Sequence, residues 1–553
     1  MTQKDKSDEL FNKIRRGEEE DLTKMLADKL GLAYFNLEYT KPDPEALKII
    51  PEVKARELKI AGIQKIANNV IIGALNPQKK ETEEYIRTLD SEGYIIEVVA
   101  LSQSSLEKAW EEYRFIKEKK VQYADVLEIS PEKLTIISEK INLIKDIEPL
   151  IKNISAENPF EILEYLMAGA IKFESSDIHF EPTESVIGIK YRIDGMLYSV
   201  CAFSKNVYGL LKNRIKLAAG LMVNVSNKPQ DGRFTISLDE DQIEIRVSAI
   251  PSSFDETIVM RLLNSKNIIV GLDKLGLRED HFRLLEEIIQ LPNGLILNTG
   301  PTGSGKTTTL YAILNKIKRE EIKIITIEDP IEYRLAGITQ TQVDLRRKYT
   351  FADGLRSILR QDPDVILVGE IRDKETAGIA INASLTGHLV VSTLHTNDSL
   401  GAIPRLVDLG VDKFLLPPSL RLIIAQRLIR KVCKKCAKPL EISDETKKAI
   451  IDELKDVPDS VKGKTDIKKI EILGPVGCEA CKSTGYKGRI GIFEMLHITS
   501  ATEKIIYDEP TVSTLLESAK KEGFTTIRQD ALLKLLEGIT TIEEVVRETG
   551  PLA

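Results

Sequence analysis

The chain reads as a multidomain α/β protein whose third module is a parallel sheet covered by helices on both faces. Three observations predict this. Ile322-Lys-Ile-Ile-Thr-Ile327, Asp364-Val-Ile-Leu-Val368 and His388-Leu-Val-Val-Ser392 are near-continuous apolar runs separated by helical stretches, and strands apolar on both faces belong to covered parallel sheets. Gly294-Leu-Ile-Leu-Asn298 leads through a glycine-rich stretch into the helical pattern Thr307-Thr-Thr-Leu-Tyr-Ala-Ile-Leu314, the order of a strand, a tight loop and a helix. Upstream, several segments alternate apolar and polar residues with period two, so α+β modules precede the sheet.

The totals set limits on what the chain does. At 553 residues it is too long for one core, and length alone suggests about three or four domains. Its composition is 42% hydrophobic and 29% charged with a net charge of -7. No basic tail or domain advertises nucleic acid, and stable nucleic-acid binding is not expected. The N-terminal segment is charged throughout, and no apolar run approaches the roughly 18 residues of a membrane span. A cytoplasmic protein is expected, with any membrane link made through partners. Five cysteines, four of them in two Cys-x-x-Cys pairs, do not make a secreted disulfide framework.

In chain order, residues 1–145 read as an α/β docking module and linker. Leu22, Met25, Leu26 and Leu30 recur at helical spacing, and Gly31 marks a helix stop. Strands are expected at Val70–Leu75 and Tyr94–Val99 with a helix at Glu81–Leu89 between them, then an exposed helix over Glu107–Lys120. Residues 146–265 read as an α+β domain, with an amphipathic helix at Phe160–Ala168 and strands at Val186–Gly195, Arg233–Leu238 and Gln242–Ser248. The parallel-sheet core takes residues 266–428, a cysteine-bearing element 429–492, and a helical C-terminal domain 493–553, with helices at Val512–Glu522, Gln529–Glu537 and Ile542–Glu548.

The chemistry centres on Gly300, Pro301, Thr302, Gly303, Ser304, Gly305, Lys306, Thr307 and Thr308. This stretch contains the pattern G-x-x-x-x-G-K-[ST]: glycines let backbone N–H groups wrap a polyphosphate, the new helix aims its positive end at the same charge, Lys306 reaches the outer phosphates, and Thr307 offers a hydroxyl to magnesium. Three polar clusters follow, each expected at the end of an apolar strand: Ile327-Glu-Asp-Pro-Ile-Glu332, Leu367-Val-Gly-Glu-Ile-Arg-Asp373 and Thr386-Gly-His-Leu-Val-Val-Ser-Thr-Leu-His395. Open parallel sheets bind ligands at strand ends. Glu370 is the candidate for orienting and activating water, the other reading being a structural strand-end carboxylate. Many phosphate-loop enzymes carry Asp where this chain has Gly369, so magnesium relies on Thr307, water and carboxylates such as Glu328, Asp329 or Glu370. No guanine-selecting Asn-Lys-x-Asp signature follows the loop, which leaves ATP as the expected nucleotide.

Cys433-Lys-Lys-Cys436 and Cys478-Glu-Ala-Cys481 have the two-residue gaps that bring both thiolates of each pair to one tetrahedral ion. Four sulfurs make a closed, structural site, read as zinc; a redox dithiol or an iron site are the alternatives. Cys201 has no partner by spacing and is expected in a core.

The loop and the three clusters, in this order, resemble the secretion-type hexameric ATPases that drive type II secretion and type IV pilus assembly (the GspE/PilB family). Ser175-Ser-Asp-Ile-His-Phe-Glu-Pro182 and Gln230-Asp-Gly-Arg-Phe234 look like the domain that precedes the ATPase core in that family, so the resemblance spans nearly the whole chain. It implies a RecA-like core, ATP with magnesium, a homohexamer, and an inner-membrane platform protein with associated cytoplasmic assembly proteins as partners. It makes Gly369 ordinary. It also implies that Arg233, Arg246 and Arg261 close over the nucleotide, although each could equally be a strand-surface ion-pair partner, and that His388 and His395 form a histidine box in which His395 senses the γ-phosphate. Pilus-retraction relatives typically lack the tetracysteine element and a long N-terminal module, so the resemblance points to assembly or secretion. Related N-terminal modules bind cyclic di-GMP through an Arg-Leu-Gly repeat; here Arg15-Arg-Gly17 is followed by acidic residues, and that ligand is not expected. Type IV pilus assembly is the leading expectation, with type II secretion or a competence pseudopilus beside it. A nucleic-acid motor with a zinc ribbon and a nucleotide-sensing adaptor are the rivals from other classes.

Overall fold

The computed structural model describes residues 3–37, 40–66, 69–91, 94–114, 131–154, 158–238, 241–264, 270–462, 470–508 and 510–552. The chain divides into two compact units, Met1–Gln122 and Tyr123–Ala553. No helix among the described residues is long and apolar enough to cross a membrane.

In the first unit, β1 (Ala33–Tyr34), β2 (Ile60–Ile66), β3 (Asn69–Ala74) and β4 (Ile95–Ala100) form one sheet in the order β1-β4-β3-β2. Leu47, Ile72 and Leu106 fill its core. The expected exposed helix at Glu107–Lys120 differs from what forms. A helix spans Gln103–Glu111 and buries Leu106, Ala109 and Trp110, with the Trp110 indole donating to the Ile60 carbonyl at 3.0 Å; residues 115–120 lie outside the described residues. The first helix runs Gln3–Leu30, and its apolar stripe faces outward: Leu22 and Met25 are each 68% exposed. Polar contacts seat it instead. Glu20 accepts from the hydroxyls of Tyr34 and Ser102, each at 2.6 Å, and Glu19 from Ser104.

The second unit opens with helices whose Leu134, Ile137, Ile141 and Ile147 pack into the same core as Leu163, Phe180 and Tyr191. That core therefore takes in residues that sequence spacing alone gave to the linker. β5 (Asp177–Pro182), β6 (Ile187–Ile193), β7 (Met196–Phe203), β8 (Gln230–Leu238), β9 (Asp241–Pro251) and β10 (Glu256–Asn264) form an antiparallel sheet, order β7-β6-β5-β10-β9-β8.

The core sheet contains β11 (Gly294–Thr299), β12 (Ile324–Glu328), β13 (Thr339–Gln342), β14 (Val365–Val368), β15 (Leu389–Leu394) and β16 (Leu420–Val432), all parallel. β17 (Lys438–Leu440) and β18 (Ile472–Gly474) form a small ladder in the cysteine element, and β19 (Tyr486–His497) returns antiparallel to β16. The seven-stranded order is β13-β12-β14-β15-β11-β16-β19. β11, β12, β14 and β15 are buried at every position, as strands covered on both faces must be. The cysteine element is thus an excursion from the core sheet, because β16 and β19 cross both of its expected boundaries. It also touches the α+β domain: Gly488 N–H donates to Asp194 at 2.9 Å and Lys482 Nζ to the Lys172 carbonyl at 2.5 Å. Helices Val512–Lys521, Ile527–Leu536 and Ile542–Thr549 close the chain.

Candidate active site

Strand β11 ends at Thr299 and the next helix begins at Lys306, with Gly305 as its N-cap residue. Gly300, Gly303 and Gly305 have φ of 146°, 81° and 89°, conformations in which a side chain would strain the backbone. Gly300 and Gly305 also lack room, since an added Cβ would lie 2.4 Å and 2.9 Å from atoms of Gln426. The loop so formed fits an anion, with a helix N-terminus and glycine backbone free of side chains at its centre. Lys306 Nζ folds onto the carbonyls of Gly300 and Pro301 at 2.7 and 3.0 Å. Burial lowers its pKa, and the Glu370 carboxylate partly offsets this.

Lys306 and Thr307 line a cavity of about 150 Å³ together with Asp329, Glu370, Thr393 and His395. β14 and β15 lie side by side, so residues just beyond their C-terminal ends meet. His395 Nε2 stands 3.3 Å from Glu370 Oε2, and Arg372 pairs with the other Glu370 oxygen. That hydrogen bond raises the Arg372 pKa. Gly369 has a steric reason: a Cβ there would lie 3.2 Å from both the Glu328 Cα and the Ile327 carbonyl oxygen.

Glu328 lines the same cavity. It is 4% exposed, and its oxygens accept from Tyr311 at 2.5 Å, Thr326 at 2.6 Å and Gln340 at 3.2 Å. Burial and the adjoining carboxylate both raise the Tyr311 pKa, which keeps that hydroxyl a donor. For magnesium, the oxygen donors that line the cavity are Thr307, Glu328, Asp329 and Glu370, a hard donor set that suits the ion.

His388 is not brought to the loop. It precedes β15, its Nδ1 lies 3.0 Å from the Ala383 carbonyl, and its own carbonyl accepts from Gly294 N–H. Gly294 starts β11 and the loop follows its end, so His388 sits at the opposite, N-terminal end of these strands.

The three candidate arginines form a row. Arg246 on β9 lies directly opposite Arg233 on β8 and Arg261 on β10. They line a cleft of about 1330 Å³ whose far wall includes Asp329, Glu332 and Tyr333. Asp329 and Glu332 also line the cavity beside Lys306, so the cleft opens onto the phosphate loop. Arg246 pairs with Glu332 at 2.8 Å and Arg261 with Asp177 at 2.9 Å, while Arg233 is 70% exposed and 4.0 Å from Glu244.

Cys433, Cys436, Cys478 and Cys481 converge with all four sulfurs within 4.8 Å of one another. Neighbouring pairs are 3.7 to 3.9 Å apart, the spacing of about 3.8 Å that a tetrahedral ion bound at about 2.3 Å to each sulfur requires. Backbone N–H groups of Gly477, Cys478 and Gly485 point at the sulfurs, as thiolates require. Cys201 packs against the α+β core.

Sequence reasoning passed over Arg372 and Gln426. Arg372 stands in the quoted Glu370 cluster, two residues from the carboxylate it pairs with, and that spacing was a usable signal. Gln426, inside an apolar run remote from the loop, carries no local signal.

Residues 155–547 match the family model described as type II/IV secretion system protein. The type IV pilus assembly ATPase PilB of Myxococcus xanthus is 36% identical over 540 residues, 97% of this chain and 92% of that protein. The type II secretion system protein E of Dickeya dadantii is 45% identical over 408 residues, 73% of this chain and 76% of its own length. The ATPase DotB of Legionella pneumophila shares the fold, with TM-score 0.51 and 21% identity over 70% of this chain and 94% of that one. With its phosphate loop, strand-end carboxylate and facing arginine row, the chain belongs to the type II/IV secretion system protein family, among the ATPases of secretion and pilus assembly.

Proposed function

We propose that the protein is a hexameric motor that hydrolyses ATP to power type IV pilus assembly at the cytoplasmic face of the inner membrane, acting on a membrane platform protein. The observation that carries the chemistry is Glu370, held between Arg372 and His395 in the cavity that Lys306 and Thr307 also line. Glu370 takes a proton from water as the water oxygen attacks the γ-phosphorus; the bond from that phosphorus to the bridging oxygen breaks, leaving ADP and phosphate. Lys306 and the arginine row neutralise charge on the transferring group. Magnesium, when bound through Thr307, Glu328, Asp329 or Glu370, supplies further neutralisation of the phosphates. Zinc in the four-cysteine site is structural. Closure of the α+β domain over the nucleotide couples hydrolysis to movement.

Coverage favours the pilus reading: the Myxococcus xanthus assembly ATPase matches 97% of the chain, whereas the Dickeya dadantii secretion protein matches 73%. Type II secretion is the second reading, and the higher identity of that relative, 45% against 36%, favours it. Glu370→Gln in the native host separates them. Loss of surface filaments with secretion intact supports pilus assembly; loss of secretion alone assigns the type II pathway, and loss of DNA uptake alone a competence pseudopilus. Persistence of all three without a redundant ATPase contradicts the motor.

A further inference from the structure

Gln426 lies in the middle of β16, 2% exposed, beside the strand that delivers the phosphate loop, with Thr299 paired to its neighbour Ala425. Its Oε1 accepts from Asn298 Nδ2 at 3.0 Å and from Thr309 Oγ1 at 2.8 Å. Asn298 is the last residue but one of β11, and Thr309 closes the first turn of the following helix through its N–H to the Gly305 carbonyl. The same glutamine lies against the loop at both outer glycines, its backbone carbonyl at Gly300 and its Nε2 at Gly305. One residue therefore braces the entry and the exit of the loop. A buried carboxamide costs stability unless its partners are present, and the local hydrogen bonding is not saturated: among the described residues, the buried Asn298 Oδ1 and Ser304 Oγ have no partner. The bonds to this polar group come from the strand before the loop and the helix after it, so its consequence is at the loop.

We infer that Gln426 is a positioning residue for the phosphate loop, fixing β11 against the following helix so that the backbone N–H groups from Gly300 to Thr307 converge on a nucleoside triphosphate. The inference rests on the ATP reading. Gln426 acts on the direction of those groups and does not reach the phosphates itself. Misplacement by about 1 Å costs on the order of 100-fold in rate where substrate must be held in a reactive geometry, and loss of convergent donors weakens the hold on the nucleotide as well.

The test uses the full-length protein, with MgATP affinity, kcat, KM and thermal midpoint measured for Gln426→Met, Thr309→Val, Thr309→Ser and the Gln426→Met/Thr309→Val pair. Met keeps the length and removes the acceptor, Val is isosteric and removes one donor, and Ser keeps the hydroxyl. Both Gln426→Met and Thr309→Val are expected to weaken MgATP binding about tenfold and raise KM more than they lower kcat. The double variant is expected to bind no more weakly than Gln426→Met, because both changes cut one shared bond, and Thr309→Ser should match wild type. Unchanged MgATP affinity with only a lower thermal midpoint overturns the inference. If Gln426→Met does not fold, Thr309→Val against Thr309→Ser decides the question. A wild-type protein that binds no MgATP defeats the ATP reading and the inference together; wild-type binding that Thr309→Val leaves intact defeats the inference alone.

Discussion

Arg246 donates to Glu332 across the cleft at 2.8 Å, mooring the arginine row of the α+β domain to the strand-end segment that carries Asp329. Arg246 also donates to the Ile331 carbonyl at 2.8 Å. The contact ties the two walls of the cleft together while Arg233, on the same row, remains exposed.

Like charges directly opposite one another across strands are destabilising, so the row has an electrostatic cost that an anion removes. Arg233→Gln should therefore leave the thermal midpoint unchanged or slightly raised while ATP turnover falls about 100- to 1000-fold, the range seen when a donor to a developing charge is lost. A parallel fall in stability and turnover would assign Arg233 to ion pairing alone.

The sulfur spacing in the tetracysteine site predicts about one zinc per chain in purified protein. Cys478→Ser should lose the metal and lower the thermal midpoint, because metal binding at a closed site adds to folding stability. Elemental analysis decides it; a coloured iron centre, or folded protein without metal, contradicts the assignment.

His281 gives the core a pH dependence. Its Nε2 lies 2.8 Å from Arg278 Nη2, so it accepts from the guanidinium only while unprotonated. Burial, then the Arg278 charge, lowers its pKa from 6.5 to about 4. The unfolded chain binds this proton first as pH falls, so stability is full above about pH 6.5 and is lost between there and about pH 4, by at most about 3 kcal/mol. Asp280, Asp530, Lys534 and Arg278 surround the ring, and both carboxylates are held below their ordinary range; burial raises the pKa of Glu494 and Glu537 and lowers that of His179 and His497, so the His281 share is read as the part of the slope its replacement removes. His281→Gln, which keeps an acceptor for Arg278, should flatten the thermal midpoint against pH over that interval; an unchanged slope would assign the loss to other groups.

Much of the core was legible because its signals are local. The loop from Gly300 to Thr308 and the cluster around Glu370 are contiguous patterns, and parallel strands announce themselves by being apolar on both faces. His388 shows how a motif can mislead: it flanks an apolar strand at its start, and this site lies at the C-terminal ends of the strands. That geometric rule was available from the sequence and separates it from His395. The alignment of Arg233, Arg246 and Arg261 depends on the register of three strands, which no local pattern encodes. Leu22 and Met25 have helical spacing, yet Glu19 and Glu20 seat that helix through hydroxyl groups of Ser102 and Ser104 roughly eighty residues away in the chain.

The most direct test compares phosphate release from MgATP by wild type and Glu370→Gln at saturating nucleotide, with MgATP affinity measured in parallel. Glu370 as the group that activates water predicts turnover lower by about 100-fold or more, with affinity retained. Equal turnover in the two proteins would contradict the catalytic assignment at the centre of this account.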